Sequence, residues 1–331
     1  MAEARFDVLG IGSAIVDIIA RTDEGLLEEF GLVKGTMALT DAAKAKAIYD
    51  RMGSAVEISG GSAANTMAGI ASLGGAPCFI GKVGDDTLGA IFAHEIKAVG
   101  VQFHGGEKRP TKLPTATCLI LVTADGQRTM NTFLGACTEL GPTDIDADLL
   151  KSARVTYIEG YQWDAPAAKE AIRKSCHTVK STGRQVALSL SDPFVADRHR
   201  AELLGLIRED VDMLFGNEEE IFSLYQVSDL DSAAQRLREA KVLAIMTRSA
   251  QGAVIIDGKT TVAVPAAPVT KVVDTTGAGD LFAAGFLYGY THGRDLAHCA
   301  RIGAMAAAEV ISHLGARPEV PLRDLLAKNG L

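Results

Sequence analysis

At 331 residues, 47% hydrophobic and 22% charged, the chain has the makeup of a globular protein that buries a large core, as one big α/β domain or as a domain with a subdomain. Its net charge of −8 is spread along the chain, which argues against nucleic acid and acidic membrane surfaces as main partners; a polyanion would need a site built locally from backbone amides, isolated Arg or Lys, and a metal. The stretch from Met1 to Asp7 lacks a charged-then-apolar signal pattern and no apolar run approaches membrane-span length, so the expected location is the cytoplasm.

In chain order, residues 6–11 read as a first strand. Residues 15–21 and 36–40 follow as a candidate antiparallel pair, then a helix near 62–73, a strand at 78–81 and a helix at 87–99. Residues 116–123 and 127–134, around Asp125-Gly126, form a second candidate antiparallel pair. Strands at 155–159, 185–190, 211–215 and 242–247 then alternate with helices at 166–182, 201–207, 218–225 and 232–240. This alternation predicts βαβ crossovers and a mostly parallel sheet covered on both faces. A hairpin of 254–257 and 261–264 turns at Asp257-Gly258, and helices at 279–290 and 296–313 close the chain. The two antiparallel pairs break the crossover pattern. They predict a small sheet, drawn from roughly 15–40 and 108–136, projecting as a lid over the C-terminal strand ends of a single α/β domain, where open sheets bind ligands. Cys78, Cys118, Cys137, Cys176 and Cys299 show no ligand spacing and read as reduced buried thiols.

Several segments carry chemistry. Gly10-Ile-Gly12 follows the first strand, yet it lacks the third glycine of a dinucleotide fingerprint, and Asp17 comes too soon to bind its ribose. Asp17 is either an acceptor for ligand hydroxyls on a lid strand or a surface turn acid. Ser59-Gly60-Gly61-Ser62-Ala-Ala-Asn65 opens a helix: glycines admit a ligand to the backbone, Ser62 caps, and Asn65 lies one turn on, an arrangement suited to vicinal hydroxyls. Simple capping explains the same letters. Arg128 precedes Met130, Thr132 and Leu134 on one strand face. That face either lines a pocket, with Arg128 reaching a transferring phosphate, or belongs to a half-buried hairpin.

Asn217 and Glu220 are neighbours on one helix face and could hold a hydrated Mg²⁺ and a phosphate oxygen, or serve as cap and first-turn acid. Thr247-Arg248-Ser249-Ala250-Gln251-Gly252 ends a strand in residues suited to phosphate or ribose contact. No Walker A motif exists: Gly252 is one residue too far from Gly258-Lys259-Thr260, and Gly81-Lys82 is followed by Val83.

The most informative stretch is Asp274-Thr-Thr-Gly-Ala-Gly-Asp280. The amides of Gly277, Ala278 and Gly279 can point one way at the positive end of a helix, which suits an anion. A carboxylate there is repelled by bound phosphate, so base catalysis by Asp280 on a hydroxyl is the economical reading, against that of an ordinary helix start.

In this order, Gly60-Gly61-Ser-Ala-Ala-Asn65, Asn217-x-x-Glu220 and Asp274-Thr-Thr-Gly-Ala-Gly-Asp280 resemble the ribokinase-like (PfkB) carbohydrate kinase family across essentially the whole chain. The resemblance implies a three-layer α/β/α domain with a β-sheet lid, and ATP-dependent phosphorylation of an alcohol. It implies Asp280 as base, Gly277, Ala278 and Gly279 as anion hole, and Asp17, Gly61, Ser62 and Asn65 on the acceptor's hydroxyls. Asn217 and, through water, Glu220 would serve the Mg²⁺–phosphate assembly; Thr247, Arg248 and Gly252 would belong to the ATP site. One departure is Ser249, where the family usually has glycine. Gly12-Ser-Ala-Ile-Val-Asp17, Gly60-Gly-Ser62 and Leu188-Ser-Leu-Ser-Asp-Pro-Phe194 look more like the adenosine kinases of the family than its ribokinases or fructokinases. That would put Met37, Leu39, Met130, Thr132, Leu134 and Tyr161 around a purine, which needs a broad apolar slot. The expected reaction is then ATP + adenosine → ADP + AMP, a purine-salvage step. Alternatives are another nucleoside (inosine, guanosine), a free sugar (ribose, fructose), or a nucleoside-binding regulator on a kinase scaffold. The resemblance also allows a monovalent cation (K⁺) near Asp274 and Thr276, and either a monomer or a homodimer.

Overall fold

A computed structural model describes residues 4–105 and 111–331. Residues 1–3 and 108–110, which enter the terminal and lid expectations above, lie outside the described residues. The strands in chain order are β1 (Phe6–Ile11), β2 (Ile15–Arg21), β3 (Met37–Leu39), β4 (Ala55–Gly60), β5 (Pro77–Ile80), β6 (Gln102–His104), β7 (Ala116–Val122), β8 (Arg128–Phe133), β9 (Ala153–Glu159), β10 (Gln185–Ser189), β11 (Met213–Asn217), β12 (Leu243–Thr247), β13 (Ala253–Asp257) and β14 (Thr260–Val264). A nine-stranded sheet runs β14-β13-β12-β11-β10-β9-β1-β5-β6, and a five-stranded sheet runs β3-β8-β7-β2-β4.

In the large sheet every pairing from β6 to β12 is parallel, and the terminal hairpin β13–β14 adds antiparallel strands. Side chains alternate across a strand, so neighbouring residues serve opposite faces. Val8, Ala187, Met213, Ile245 and Ile255 pack in one apolar core, while Leu9, Leu188, Leu214, Met246 and Ile256 pack in the other. Both faces are covered by helices, which is why these strands read as unbroken apolar runs. The first core is closed by the helices Ser62–Ser72, Ala278–Thr291 and Leu296–Val310.

The small sheet departs from its expected pairing. Residues 15–21 and 36–40 do not pair: β2 lies between β4, antiparallel, and β7, parallel, while β3 runs parallel to β8. The helix Glu24–Glu29 lies between the two segments and carries the chain across to β8, so no tight hairpin joins them. β4 also extends the small sheet beyond the expected 15–40 and 108–136. Its first residues, Ala55 and Val56, are exposed, and the alternation Val56-Glu57-Ile58-Ser59 that marks it is short and was missed. The hairpin β7–β8 pairs antiparallel as expected.

Candidate active site

β4 ends at Gly60, and Gly61 hands the chain to the helix Ser62–Ser72 with φ of +96°. A Cβ on Gly61 would run into the Ser13 carbonyl oxygen, so this sharp entry needs glycine. Gly61 is itself the N-cap, and no side chain caps the helix. Ser62 was expected to cap; instead its Oγ donates to Asp280 Oδ1 at 2.7 Å. Asn65, one turn on, donates from Nδ2 to Asp280 Oδ2 at 3.0 Å. Two helix N-termini therefore face each other across one carboxylate, because Asp280 lies in the first turn of the helix Ala278–Thr291.

Gly277, with φ of +79°, caps that helix, and Gly277 and Gly279 line the cleft beside Asp280. No acceptor within the described residues is found for either N–H. The Ala278 amide differs: it donates to the Thr275 carbonyl at 3.2 Å, and Ala278 is not among the cleft's walls. The turn that aims its two neighbours consumes this amide, so the expected cradle of three is a pair. Such a pair at a helix N-terminus stabilises developing negative charge.

Burial raises the Asp280 pKa; the hydrogen bonds from Ser62 and Asn65 and the charge of Arg317 pull it back. Asp17 on β2 lines the same cleft, and its pKa is raised to about 7, chiefly by burial, with Arg317 and Arg128 opposing and Asp280 adding. Burial thus makes both carboxylates stronger bases than free ones, and it brings Asp17 to the neutral range.

Asp17, Gly61, Ser62, Asn65, Met37, Leu39, Met130, Thr132, Leu134 and Tyr161 all line one cleft of about 880 Å³. Met37 and Leu39 on β3 are 47% and 63% exposed and form an apolar lip that no described residue covers. Asn217, Glu220 and Thr247 line the cleft at the ends of β11 and β12. Asn217 and Glu220 form a full capping box: Asn217 Oδ1 accepts the Glu220 N–H at 2.9 Å, and Glu220 accepts the Asn217 backbone N–H at 3.1 Å and its Nδ2 at 2.7 Å. Burial raises the Glu220 pKa to about 7. Each Glu220 oxygen holds one donor and keeps acceptor capacity toward the cleft, which fits a water of a hydrated Mg²⁺. No group of three His, Cys, Asp or Glu able to cage a metal occurs among the described residues, so the ion's other ligands would be phosphate and water.

Three expected contacts are not brought to the cleft. Arg248 is held by Glu218, Nε to Oε1 at 2.8 Å, and does not line it. Gly252 does not line it either; its φ of +86° and its packing on the Val264 carbonyl give it a structural role between β12 and β13. Ser249, where glycine is usual, holds the left-handed φ of +50°, so the turn keeps a glycine-like shape at a small backbone cost. Arg128 points not into the cleft but at its wall: Nη1 binds the Asp274 carboxylate and Thr276 Oγ1, the latter at 2.8 Å. Its Nε and Nη2 are buried with no acceptor among the described residues. Asp274 also accepts the Thr276 N–H at 3.1 Å, Thr276 Oγ1 at 2.8 Å and the Gly315 N–H at 2.8 Å. Both its oxygens are committed and a guanidinium sits on one, so this carboxylate does not fit a bound monovalent cation.

Two functional groups were missed in the sequence. Glu159, at the C-terminal end of β9, lines the cleft with its pKa raised to about 7 by burial, and accepts the Ser13 and Ala63 amides. Its place at the end of a predicted strand was the available signal. Arg317, whose charge reaches both Asp17 and Asp280, follows the last long helix and belongs to no motif.

Residues 9–323 match the family described as pfkB family carbohydrate kinase. The chain belongs to that family. It is similar to the crystal structure of adenosine kinase from Sinorhizobium meliloti, at 50% identity with 99% of this chain and 100% of that one covered and a TM-score of 0.90. It is likewise similar to a probable sugar kinase protein from Rhizobium etli, at 48% identity over 99% of each chain and a TM-score of 0.91. The adenosine kinase of Saccharomyces cerevisiae is 28% identical, over 92% of this chain and 94% of that protein. This pfkB kinase therefore uses ATP to phosphorylate a hydroxyl of a small sugar or nucleoside acceptor. No helix among its described residues is long and apolar enough to cross a membrane.

Proposed function

We propose that the chain transfers the γ-phosphoryl group of ATP to the 5′-hydroxyl of adenosine, releasing ADP and AMP, with Asp280 as general base. The observation that carries this reading is the Asp280 carboxylate at one end of a cleft whose other wall is an apolar slot on the small sheet. The hydroxyl donates its proton to Asp280 as its oxygen attacks the γ-phosphorus in line with the departing β–γ bridging oxygen. The Gly277 and Gly279 amides face the charge on the equatorial oxygens. Asp17, Gly61, Ser62 and Asn65 orient the ribose; Met37, Leu39, Met130, Thr132, Leu134 and Tyr161 enclose the base. Glu220, through water and beside Asn217, would hold the Mg²⁺ that accompanies ATP, and the ion would supply neutralisation of phosphate charge there. The two unspent donors of Arg128 sit beside the Gly277 turn, at a place where lid movement would offer them a phosphate oxygen. Thr247 stands on the nucleotide side of the same cleft.

The test is ADP release with ATP and Mg²⁺ over adenosine, inosine, guanosine, ribose and fructose. Adenosine should lead in kcat/KM by about 100-fold over the free sugars, since an apolar slot for a base is worth about 2–3 kcal/mol. Equal or better turnover of ribose or fructose overturns the acceptor, and tight adenosine binding without ADP release overturns the reaction.

The titrations give a pH dependence. An acid whose pKa is raised is protonated below that value, and the active form needs Asp17 and Asp280 ionised. With Asp17 at about 7, kcat/KM for the acceptor should hold above that pH and fall about tenfold per unit below it. A profile flat from about pH 5 to about pH 8 contradicts the role of these carboxylates.

A further inference from the structure

Arg317 makes a set of contacts that simple packing does not require. Its Nε and Nη2 donate to the Ser59 carbonyl at 3.0 and 2.7 Å, Nη2 also reaches Ser59 Oγ at 3.2 Å, and Nη1 donates to the Ala64 carbonyl at 2.9 Å. Ser59 is the penultimate residue of β4, and Ala64 lies in the first turn of the helix Ser62–Ser72. One guanidinium thus spans the Gly60-Gly61 step that joins the small sheet to the body. The other side of Ser59 is held as well, its N–H donating to the Glu95 carboxylate on the helix Thr87–Ala98. Two successive glycines, which restrict the backbone least, carry the chain through this step.

What flanks this step makes the clasp functional. On the sheet side, β4 pairs with β2, and Gly60 packs so closely on the Asp17 carboxylate that a Cβ would overlap it. On the helix side, Ser62 and Asn65 hold Asp280. We propose that Arg317 is a positioning residue for phosphotransfer: by clasping both ends of the Gly60-Gly61 hinge it fixes the acceptor-binding carboxylate of Asp17 relative to the base Asp280. This rests on the roles given to those two residues above. Only a planar fork of donors serves two carbonyls on either side of a turn; an ammonium supplies the charge without the geometry.

Charge is the second component. Asp17 and Asp280 face each other and, from the surrounding elements, Arg317, Arg128, Glu159, Glu220, Cys118, Tyr157 and Tyr161. Arg317 is the cation that lowers both carboxylate pKa values.

The experiment compares Arg317→Met and Arg317→Lys with the wild type on the best acceptor of the panel, with hydrogen exchange of the 60–66 amides as a readout that needs no substrate. Arg317→Met should lower kcat/KM for the acceptor by about 100-fold, leave KM for ATP within about threefold, move the acidic limb to higher pH and speed exchange in 60–66. Arg317→Lys should return the acidic limb to its wild-type position while exchange stays fast and kcat/KM stays about tenfold down. The proposal is overturned if exchange in 60–66 is unchanged in Arg317→Met. It is equally overturned if activity falls only in proportion to the ATP-analogue binding sites retained, with KM values and acidic limb unmoved. Failure of the underlying reading looks different: adenosine is refused by the wild type, or Asp280→Asn stays active, while the exchange result still stands.

Discussion

Asp280→Asn is expected to lower kcat by about 1,000-fold, about 4 kcal/mol of transition-state stabilisation, within the range that a positioned general base supplies. The replacement is isosteric. Its one remaining carbonyl oxygen can still accept from Ser62 or Asn65, which hold the native carboxylate at 2.7 and 3.0 Å, so the facing helix ends keep their register. The variant loses the group that takes the hydroxyl proton, and nothing near replaces it: Asp17 and Glu159 share the cleft but are not at the Gly277 turn. Affinity for ATP and for the acceptor should stay within a few-fold, read by titration calorimetry beside single-turnover rates. The loss should be full where the wild-type carboxylate is ionised and should shrink at acid pH, where protonation removes the same base from the native enzyme. A variant with kcat near that of the wild type would remove Asp280 from the chemistry and with it the proposed mechanism.

The central architecture was legible because strands buried on both faces must be apolar at every position. The alternation of Leu188 with Ala187, and of Leu214 with Met213, leaves an unmistakable run in the sequence. The small sheet was less legible. β3 is three residues long and exposed throughout, and the front of β4 is exposed too, so neither carries a burial pattern. Their partners follow from where two short helices set them down, which is tertiary information. The site shows the same division. Asn65 and Asp280 drew attention because each lies in the first turns of a helix opened by glycine, where a ligand can reach the backbone; Asp17, inside β2, reads equally as ligand acceptor or surface acid. Ser62 was misread because a serine opening a helix normally caps it, and only the opposite helix reveals its true acceptor. The Ala278 amide was lost to a turn whose closing bond no sequence prints. Arg248 was claimed by Glu218, 30 residues away in sequence, and Arg317 by carbonyls 253 and 258 residues away. Contacts between a single side chain and remote backbone have no periodicity to read.

Asp17→Ala should raise KM for the acceptor by about 100-fold while ATP affinity holds, since a hydroxyl bonded to a charged, partly desolvated carboxylate is worth about 1.5–3 kcal/mol. Asp17 stands on β2 in the middle of the small sheet, paired on one side with β4 and on the other with β7, so its backbone is held whatever its side chain. The native protein bears a burial penalty to keep this carboxyl in the cleft, visible in a pKa raised to about 7 despite two nearby arginines. Removing it should relieve that penalty, so the variant is expected to be at least as resistant to urea as the wild type while binding its acceptor far worse. That opposite movement of stability and affinity distinguishes a binding carboxylate from a structural one. An unchanged acceptor KM, or a KM rise accompanied by a matching loss of stability, would assign Asp17 to the fold instead. Below pH 7 the gap between variant and wild type should narrow, because protonation strips the native side chain of the same charge that the mutation deletes.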